Sequence, residues 1–187
     1  PSQTADRPPS LTFNPGGGCG IGLGQSNSLR GSCLGSLSAA FPSPNQAGNL
    51  IIAFVRMSTS SQTVTVTDTF GNAYTDAVSQ VQSSDGHQVH IFYARNVVGG
   101  SNTVKATFSS TNNHPWIAIY EYSGLSTNNP LEQTARTQGS SSAPNSGPTP
   151  DPTSTHDTGF SSAAVPPGSP ATLSPGGEYA VATTSSP

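Results

Sequence analysis

The chain has 187 residues, of which 32% are apolar and only 8% are charged. Its 30 Ser, 21 Thr, 20 Gly and 17 Pro replace the charged and large apolar residues of an average globular protein. This composition excludes long helices and coiled coils. The net charge of −3 excludes a nucleic-acid binder, which needs a basic patch that six Lys and Arg do not supply.

The N-terminal segment, residues 1–35, is rich in glycine and contains both cysteines, Cys19 and Cys33. Because neither a metal-ligand spacing nor a Cys-x-x-Cys motif is present, we predict a disulfide between them, with two free buried thiols as the alternative. In the chain-entropy model this bond would stabilise the fold by about 3 kcal/mol. The chain starts at Pro1 without a signal peptide and lacks an apolar run of about 20 residues, which predicts a mature or trimmed product without a membrane span.

The spacing of the prolines places the interior of a sheet in the middle of the chain. No proline occurs between Pro44 and Pro115, and proline is excluded from central strands because it cannot donate to the hydrogen-bond ladder. Residues 50–55 are apolar throughout, which predicts a strand covered on both faces. Residues 63–67 alternate between Thr and Val, which predicts a strand with one buried and one wet face.

Further strand patterns follow as far as residue 122. Turn signals rich in Gly, Asp and Asn separate predicted strands at 73–82, 87–94, 103–108 and 116–122. Weaker candidates bring the total to between eight and ten short strands: 11–13, 21–25, 36–41, 131–137 and 178–183. No window shows a helical period. The sequence therefore predicts an all-β protein, an antiparallel β-sandwich of the jelly-roll or immunoglobulin-like type with its core in residues 36–140.

The C-terminal segment, residues 141–187, is rich in Pro, Ser and Thr. Such a composition buries too little apolar surface to offset the entropy of ordering the chain. We therefore expect residues 138–175 to form an extended linker or a long wrapping loop. Residues 178–183 are expected to return as an edge strand, either to this domain or to a neighbouring one.

Five strings in the middle of the chain resemble a widespread family of secreted bacterial β-sandwich modules. They are AGNL at 47–50, VTDTFGNAY at 66–74, IFYARN at 91–96, GGSNTV at 99–104 and IYEYSG at 119–124. The family occurs in large surface proteins beside immunoglobulin-like, fibronectin type III and carbohydrate-binding domains. The resemblance implies an extracellular sandwich on a cell surface or secreted protein. It implies no reaction, because these modules are mostly uncharacterised and supply no catalytic residues to carry over to this chain.

An aromatic row in the predicted strand at 116–122 is the main candidate for ligand binding. Trp116, Tyr120 and Tyr122 share one face of this strand, and exposed aromatic rings stack on sugars. The alternative is that these rings form the core of the sandwich, so that the intervening residues, including Glu121, face outwards. If the intervening residues are buried as well, Glu121 becomes a buried carboxylate that needs a partner.

No metal or cofactor site is predicted from the titratable residues. His87 and His90 are three positions apart, which places them on opposite faces of a strand. Asp68, Asn72, Asp76 and Asp85 lie around turns, where such residues are selected for their local hydrogen bonds more often than for binding calcium.

These patterns predict a non-catalytic extracellular module with a structural or adhesive role, one that belongs to a surface fibre or filament assembled by strand exchange. Its expected partners are copies of itself or neighbouring surface-protein domains. A carbohydrate-binding module is the alternative function. A hydrolase would need two converging carboxylates or a nucleophile with a base, and the sequence shows neither arrangement.

Overall fold

The computed structural model describes residues 10–13, 16, 20–83, 86–136, 158–162 and 180–182. Within these residues all regular structure is extended, which confirms the prediction of an antiparallel all-β sandwich. The strands are β1 (Ser10–Phe13), β2 (Gly22–Arg30), β3 (Leu34–Ala40), β4 (Leu50–Met57), β5 (Val64–Asp68), β6 (Tyr74–Val81), β7 (Gln88–Ala94), β8 (Thr103–Asn112), β9 (Trp116–Ser123), β10 (Leu131–Ala135), β11 (Thr158–Ser162) and β12 (Ala180–Ala182). Among the described residues no helix is long and apolar enough to cross a membrane.

The strands form three sheets. The central sheet has five strands in the order β2-β9-β4-β7-β6, and a three-stranded sheet has the order β3-β8-β5. A four-stranded sheet has the order β10-β1-β11-β12. Neighbouring strands pair in antiparallel fashion, except β11 and β12, which are parallel. The central sheet packs on both of its faces, so the described residues form two hydrophobic cores.

The first core, called here the middle-chain core, lies between the central sheet and the three-stranded sheet. On the central sheet its fully buried side chains include Ile51, Ala53 and Val55 of β4. On the three-stranded sheet Val104 and Ala106 of β8 face them, and both are fully buried. All strands that form this core come from the chain between β3 and β9.

The second core, called here the terminal-strand core, lies on the opposite face of the central sheet. The alternate residues of β4, Leu50, Ile52 and Phe54, belong to this core. Both faces of β4 are therefore covered, as the unbroken apolar run at 50–55 predicts. Leu11 of β1 and Phe160 of β11 are the facing contributions, and each is 1% exposed.

The outer face of the three-stranded sheet carries hydroxyl groups. Thr65 and Thr67 of β5 are exposed while Val66 between them is buried. Thr103 and Thr107 of β8 alternate in the same way with buried neighbours. The predicted strand with one wet face is therefore confirmed.

Strand β11 lies within residues 138–175, where the sequence predicts a linker or wrapping loop. This stretch pairs with β1 in register, with Leu11 opposite Phe160. The composition of the surrounding segment does not indicate this strand, because Phe160 is its single large apolar residue. One such residue in a segment rich in Pro and Ser leaves no periodic signal.

Candidate functional site

The aromatic row on β9 lies in the terminal-strand core. Trp116, Tyr120 and Tyr122 are 4%, 8% and 3% exposed. The ring of Trp116 meets Phe54 edge to face with centroids 5.0 Å apart, and the ring of Tyr120 meets Phe160 in the same manner at 5.3 Å. Because sugar stacking needs exposed ring faces, these residues do not form an accessible glycan platform. Their position agrees with the alternative prediction, that the three rings form part of the core of the sandwich.

The other face of β9 is buried as well. Ile117 and Ile119 are fully buried in the middle-chain core. The expectation that these intervening residues face outwards is therefore wrong, because the three-stranded sheet covers them. Glu121, the next residue on this face, is only 2% exposed. Glu121 is therefore a buried carboxylate, and a buried carboxylate needs hydrogen-bond partners.

Four N–H groups surround the Glu121 carboxylate. The Gln25 and Asn45 side-chain amides donate to Oε2 over 2.6 and 2.8 Å. The Gln46 backbone amide and the Asn49 side-chain amide donate to Oε1 over 2.7 and 2.8 Å. The donors belong to edge strand β2 and to the connection between β3 and β4. The carboxylate thus fixes that connection against the central sheet.

These neutral donors decide the charge state of Glu121. Burial by itself raises the pKa of this carboxyl group, because it removes water from the charged form. The hydrogen bonds, first that from Gln25, outweigh burial and hold the pKa of Glu121 below its usual value. Glu121 is therefore ionised in the folded protein, with amide dipoles in place of a positively charged partner.

A second carboxylate, Asp68 at the end of β5, has a similar environment. Oδ1 accepts the backbone amides of Phe70 and Asn72 over 3.1 and 3.0 Å. Oδ2 accepts the side-chain amides of Asn72 and Asn102 over 2.7 and 2.9 Å, and the Tyr74 hydroxyl over 3.2 Å. Asp68 therefore joins the end of β5, the start of β6 and the loop before β8, which ties the three-stranded sheet to the central sheet.

The donors to Asp68 affect two ionisations. Burial raises the pKa of Asp68, but the hydrogen bonds from Asn102, Asn72 and Tyr74 lower it below the ordinary value. The pKa of Tyr74 is raised, first by burial and then by the charge of Asp68. Since both oxygens of Asp68 face N–H or O–H donors, a cation at this position would meet the positive ends of those dipoles. Asp68 therefore makes the local hydrogen bonds of a turn residue, as its position in the sequence predicts.

Two further amide side chains connect the sheets at the opposite end of the molecule. Asn112, which is fully buried, accepts the backbone amide and the hydroxyl of Ser58 at Oδ1 and donates to Gln62 Oε1. Gln88 donates through Nε2 to the backbone oxygens of Thr59 and Gln62, each over 2.7 Å. Both side chains thus hold the connection between β4 and β5, which passes from the central sheet to the three-stranded sheet.

His90 on β7 contacts acceptors at both ring nitrogens. Nδ1 lies 2.8 Å from Asp76 Oδ2 on the neighbouring strand β6. Nε2 lies 3.2 Å from Gln88 Oε1. The ring stacks on Phe92 with centroids 5.8 Å apart.

The structure gives the predicted disulfide no support. Cys33 is a free, exposed thiol in the turn between β2 and β3. Its backbone has a positive φ of 54°, which is rare for a residue with a side chain. Cys19 lies outside the described residues, so its pairing stays a prediction.

Within the part of the chain that the structure describes, no three His, Cys, Asp or Glu side chains form a group that would hold a metal ion. His87 precedes β7 and His90 lies within it, and no such group includes either. Asp85, another of the calcium candidates, falls outside the described residues.

The amide side chains around the two carboxylates are the structural residues that sequence reasoning missed. Gln25, Asn45 and Asn49 lie 96, 76 and 72 residues from Glu121 along the chain. No local pattern reveals contacts over such distances. The available signal is compositional, because a chain with 8% charged residues has few cations with which to neutralise a buried carboxylate.

Comparison of the chain with known proteins finds no matching family model, no matching curated protein and no matching solved structure. The resemblance to secreted bacterial surface modules therefore stays a prediction from the sequence.

Proposed function

We propose that the chain is a non-catalytic structural module of an extracellular surface, where copies assemble into a fibre by exchanging strands. The proposal rests on the strands that cover the terminal-strand core. In sequence, 144 residues separate the end of β1 at Phe13 from the start of β11 at Thr158, yet the two strands pair side by side over the aromatic face of the central sheet. A cover of this kind forms equally well from a neighbouring copy, which supplies the same residues to the same face.

The connection to β11 is long enough for such an exchange. Between Ala135 of β10 and Thr158 of β11 lie 22 residues. Fully extended, they reach about 70 Å. A compact chain of this length has a radius of gyration of about 16 Å. The segment can therefore carry β11 across to an adjacent molecule as well as back to its own.

Phe160 supplies the main apolar anchor of β11. It is 1% exposed and its ring meets Tyr120 edge to face. Burying a phenylalanine side chain stabilises a contact by about 1.5–3 kcal/mol. That anchoring energy is the same within one molecule or between two, so protein concentration decides which arrangement prevails.

The low charge of the chain also supports self-association. A net charge of −3 on 187 residues produces little repulsion between identical copies. The exposed Thr side chains of β5 and β8 keep the outer face of the three-stranded sheet hydrated without charge. Copies can therefore approach each other closely while each module remains in contact with water.

The test measures assembly of the full chain by light scattering and electron microscopy over a range of concentrations. We expect oligomers or filaments that grow with concentration. Phe160→Ala should abolish them, because it removes the anchor of the exchanged strand. Phe70→Ala is the matched control, since Phe70 is 39% exposed at a turn outside both cores. A monodisperse monomer at high concentration, or assembly that survives Phe160→Ala, would contradict the proposal.

A further inference from the structure

We propose that edge strand β2 is an interface at which two copies of the chain pair in antiparallel fashion, closed by two disulfides that each join Cys19 of one copy to Cys33 of the other. The inference rests on the placement of the cysteines relative to β2 and on the open edge of this strand. It does not depend on the exchange of β11, because none of the described residues of the terminal-strand core belongs to β2.

The two ends of β2 lie far apart in one molecule. Cys33 lies before the start of β9, where its backbone amide donates to the Asn113 carbonyl oxygen over 3.0 Å. Gly20 lies beyond the other end of β9, so close to Gly124 that a Cβ there would collide with the Gly20 carbonyl oxygen. The strand between Gly20 and Cys33 has nine residues. At a rise of about 3.4 Å per residue it spans about 27 Å.

This separation prevents a disulfide within one chain. Cys19, which lies outside the described residues, is joined directly to Gly20 in the sequence, and consecutive Cα atoms are about 3.8 Å apart. A disulfide requires Cα atoms within about 7 Å of each other. The two cysteines of a single chain can therefore meet only if β2 leaves β9. The exposed thiol of Cys33 needs a partner from a second molecule.

The sequence around β2 suits a pair of identical strands. Ser26 is the midpoint of β2, and Cys19 and Cys33 lie at equal distances before and after it in the sequence. When two copies of β2 pair in antiparallel fashion with their midpoints opposite, each Cys19 comes to the level of Cys33 of the other copy. One arrangement with two-fold symmetry thus serves both bonds, so the occupant of this edge is a second copy of the chain.

The outer edge of β2 is open to such a partner. In the central sheet β2 pairs with β9 alone, and its Leu23 and Leu29 are 50% and 46% exposed. The Ser28 amide donates to the side chain of Asn27 over 2.8 Å, so it points away from β9. Alternate residues of a strand direct their backbone groups to the same side. Ser26 therefore presents its amide and carbonyl groups to the same residue of a second copy.

The opposite edge of the central sheet, β6, is guarded. It carries the charge of Asp76, its register shifts between Asp76 and Val78, and Arg136 donates to the Ser79 carbonyl oxygen over 2.7 Å. Charges and bulges prevent pairing at sheet edges. β2 contains neither proline nor an acidic residue, and residues 25–30 pair with β9 without a shift. Pairing between copies is therefore expected at β2.

Side-chain contacts order β2 before a partner arrives. Gln25 donates to the Ser43 carbonyl oxygen over 3.0 Å and accepts the Ser43 amide over 2.9 Å. Asn27 donates to the Ala40 carbonyl oxygen over 2.7 Å. These bonds fix β2 to strand β3 and the connection that follows it. A strand that is already ordered loses little conformational entropy on binding.

Each disulfide forms by thiol–disulfide exchange, with a low-molecular-weight disulfide as the oxidant. The thiolate of Cys33 attacks one sulfur of this oxidant and releases a small thiolate. The thiolate of Cys19 in the other copy then attacks the mixed disulfide at Cys33 and releases the second small thiolate. The protons lost by the two cysteines end on the released thiols. Two cysteines thus lose two electrons, and the oxidant is reduced to two small thiols.

The test mixes full chains of natural isotope content with full chains labelled with nitrogen-15, both reduced. Oxidised glutathione then replaces the reductant, and non-reducing electrophoresis separates monomer from dimer. Trypsin cleaves after Arg30, so Cys19 and Cys33 fall in different peptides. We expect these two peptides linked in the dimer, with hybrids in which one peptide is labelled and the other is not.

Variants test the two parts of the interface. Cys19→Ser and Cys33→Ser should each stay monomeric on the gel, because two copies of the same cysteine lie at opposite ends of the paired strands. Ser26→Lys should abolish the linked dimer, since it places like charges opposite each other at the midpoint. Ser101→Lys, the same change at an exposed position before β8, is the control and should retain the dimer.

A link between Cys19 and Cys33 that is confined to the monomer would overturn the proposal without any variant, as would a native chain that stays reduced. Dimers linked through two copies of the same cysteine would overturn the antiparallel arrangement. A linked dimer that persists in Ser26→Lys would overturn the pairing at β2. Phe160→Ala should leave the linked dimer unchanged, which separates this interface from the exchange of β11.

Discussion

The two faces of the central sheet are covered in different ways. The three-stranded sheet covers one face with strands from the middle of the chain, and the carboxylates of Asp68 and Glu121 fix its connections through many N–H donors. The other face is covered by short strands from distant parts of the sequence, with apolar anchors such as Phe13 and Phe160. Among the described residues, buried carboxylates fix the connections of one cover, while the other cover places large apolar side chains against the central sheet.

The largest effect should come from opening a cavity in the middle-chain core. Ile119 is fully buried on β9, and replacing such a residue with alanine costs about 2–5 kcal/mol. We therefore expect Ile119→Ala to lower the urea midpoint of the whole fold. For Phe160→Ala we expect a smaller loss of stability, because the loss is limited to the free energy that docking of the terminal strands contributes. This variant should also shift the fluorescence of Trp116 toward that of a hydrated indole.

Equal losses of stability in these two variants would contradict the distinction between the cores. Lys105→Gln, a change of an exposed residue on β8, serves as the control for substitution at the surface. It should change the free energy of unfolding by less than about 0.5 kcal/mol.

The next effect concerns the carboxylate that fixes the β3–β4 connection. Glu121→Gln keeps the shape of the side chain but turns an NH₂ group toward donors that now have no acceptor. An unsatisfied buried polar group costs about 1–3 kcal/mol, so we expect a loss in that range by urea unfolding. Hydrogen exchange should increase at the backbone amide of Gln46, which donates to Glu121. Unchanged exchange at this amide would show that the connection is held in another way.

The smallest effect is a difference in acid sensitivity. Hydrogen bonds hold the pKa values of Glu121 and Asp68 below those of ordinary carboxyl groups. A carboxyl group with a lowered folded pKa stabilises the fold above its unfolded value of about 4, and this stability is lost as the pH falls through the folded value. The native chain should therefore lose stability below about pH 4, and the double variant Glu121→Gln with Asp68→Asn should lose less.

The measurement is the urea midpoint from about pH 7 down to about pH 2. Parallel curves for the native chain and the double variant would show that other carboxyl groups dominate acid unfolding. The single variants then rank the two sites, with the larger change expected for Glu121 because it is the more buried.

Much of the central sheet could be predicted from the sequence. The apolar run at 50–55 indicates a strand covered on both faces, and the structure places β4 between two cores. The alternation at 63–67 indicates a strand with one wet face, which is β5. In both cases local patterns are sufficient, because the side chains of a strand alternate whatever its partners are.

The terminal-strand cover and the buried carboxylates could not be predicted in this way. β11 has a single strong anchor, Phe160, in a segment whose composition indicates a loop. The partners of Glu121 come from β2 and from the β3–β4 connection, so only the folded topology brings them together. The sequence predicts that Glu121 needs hydrogen-bond partners if it is buried. It does not identify those partners.

The hydroxyl-bearing face of the three-stranded sheet has a consequence for handling the protein. Threonine hydroxyls neither gain nor lose a proton in the range where carboxyl groups and histidines titrate. Most proteins are least soluble at their isoelectric point, which is near 5.7 for this sequence, because the net charge that keeps the molecules apart is zero there. A surface wetted by Thr65, Thr67, Thr103 and Thr107 keeps its bound water through that point, so isoelectric precipitation is not expected to be an effective purification step.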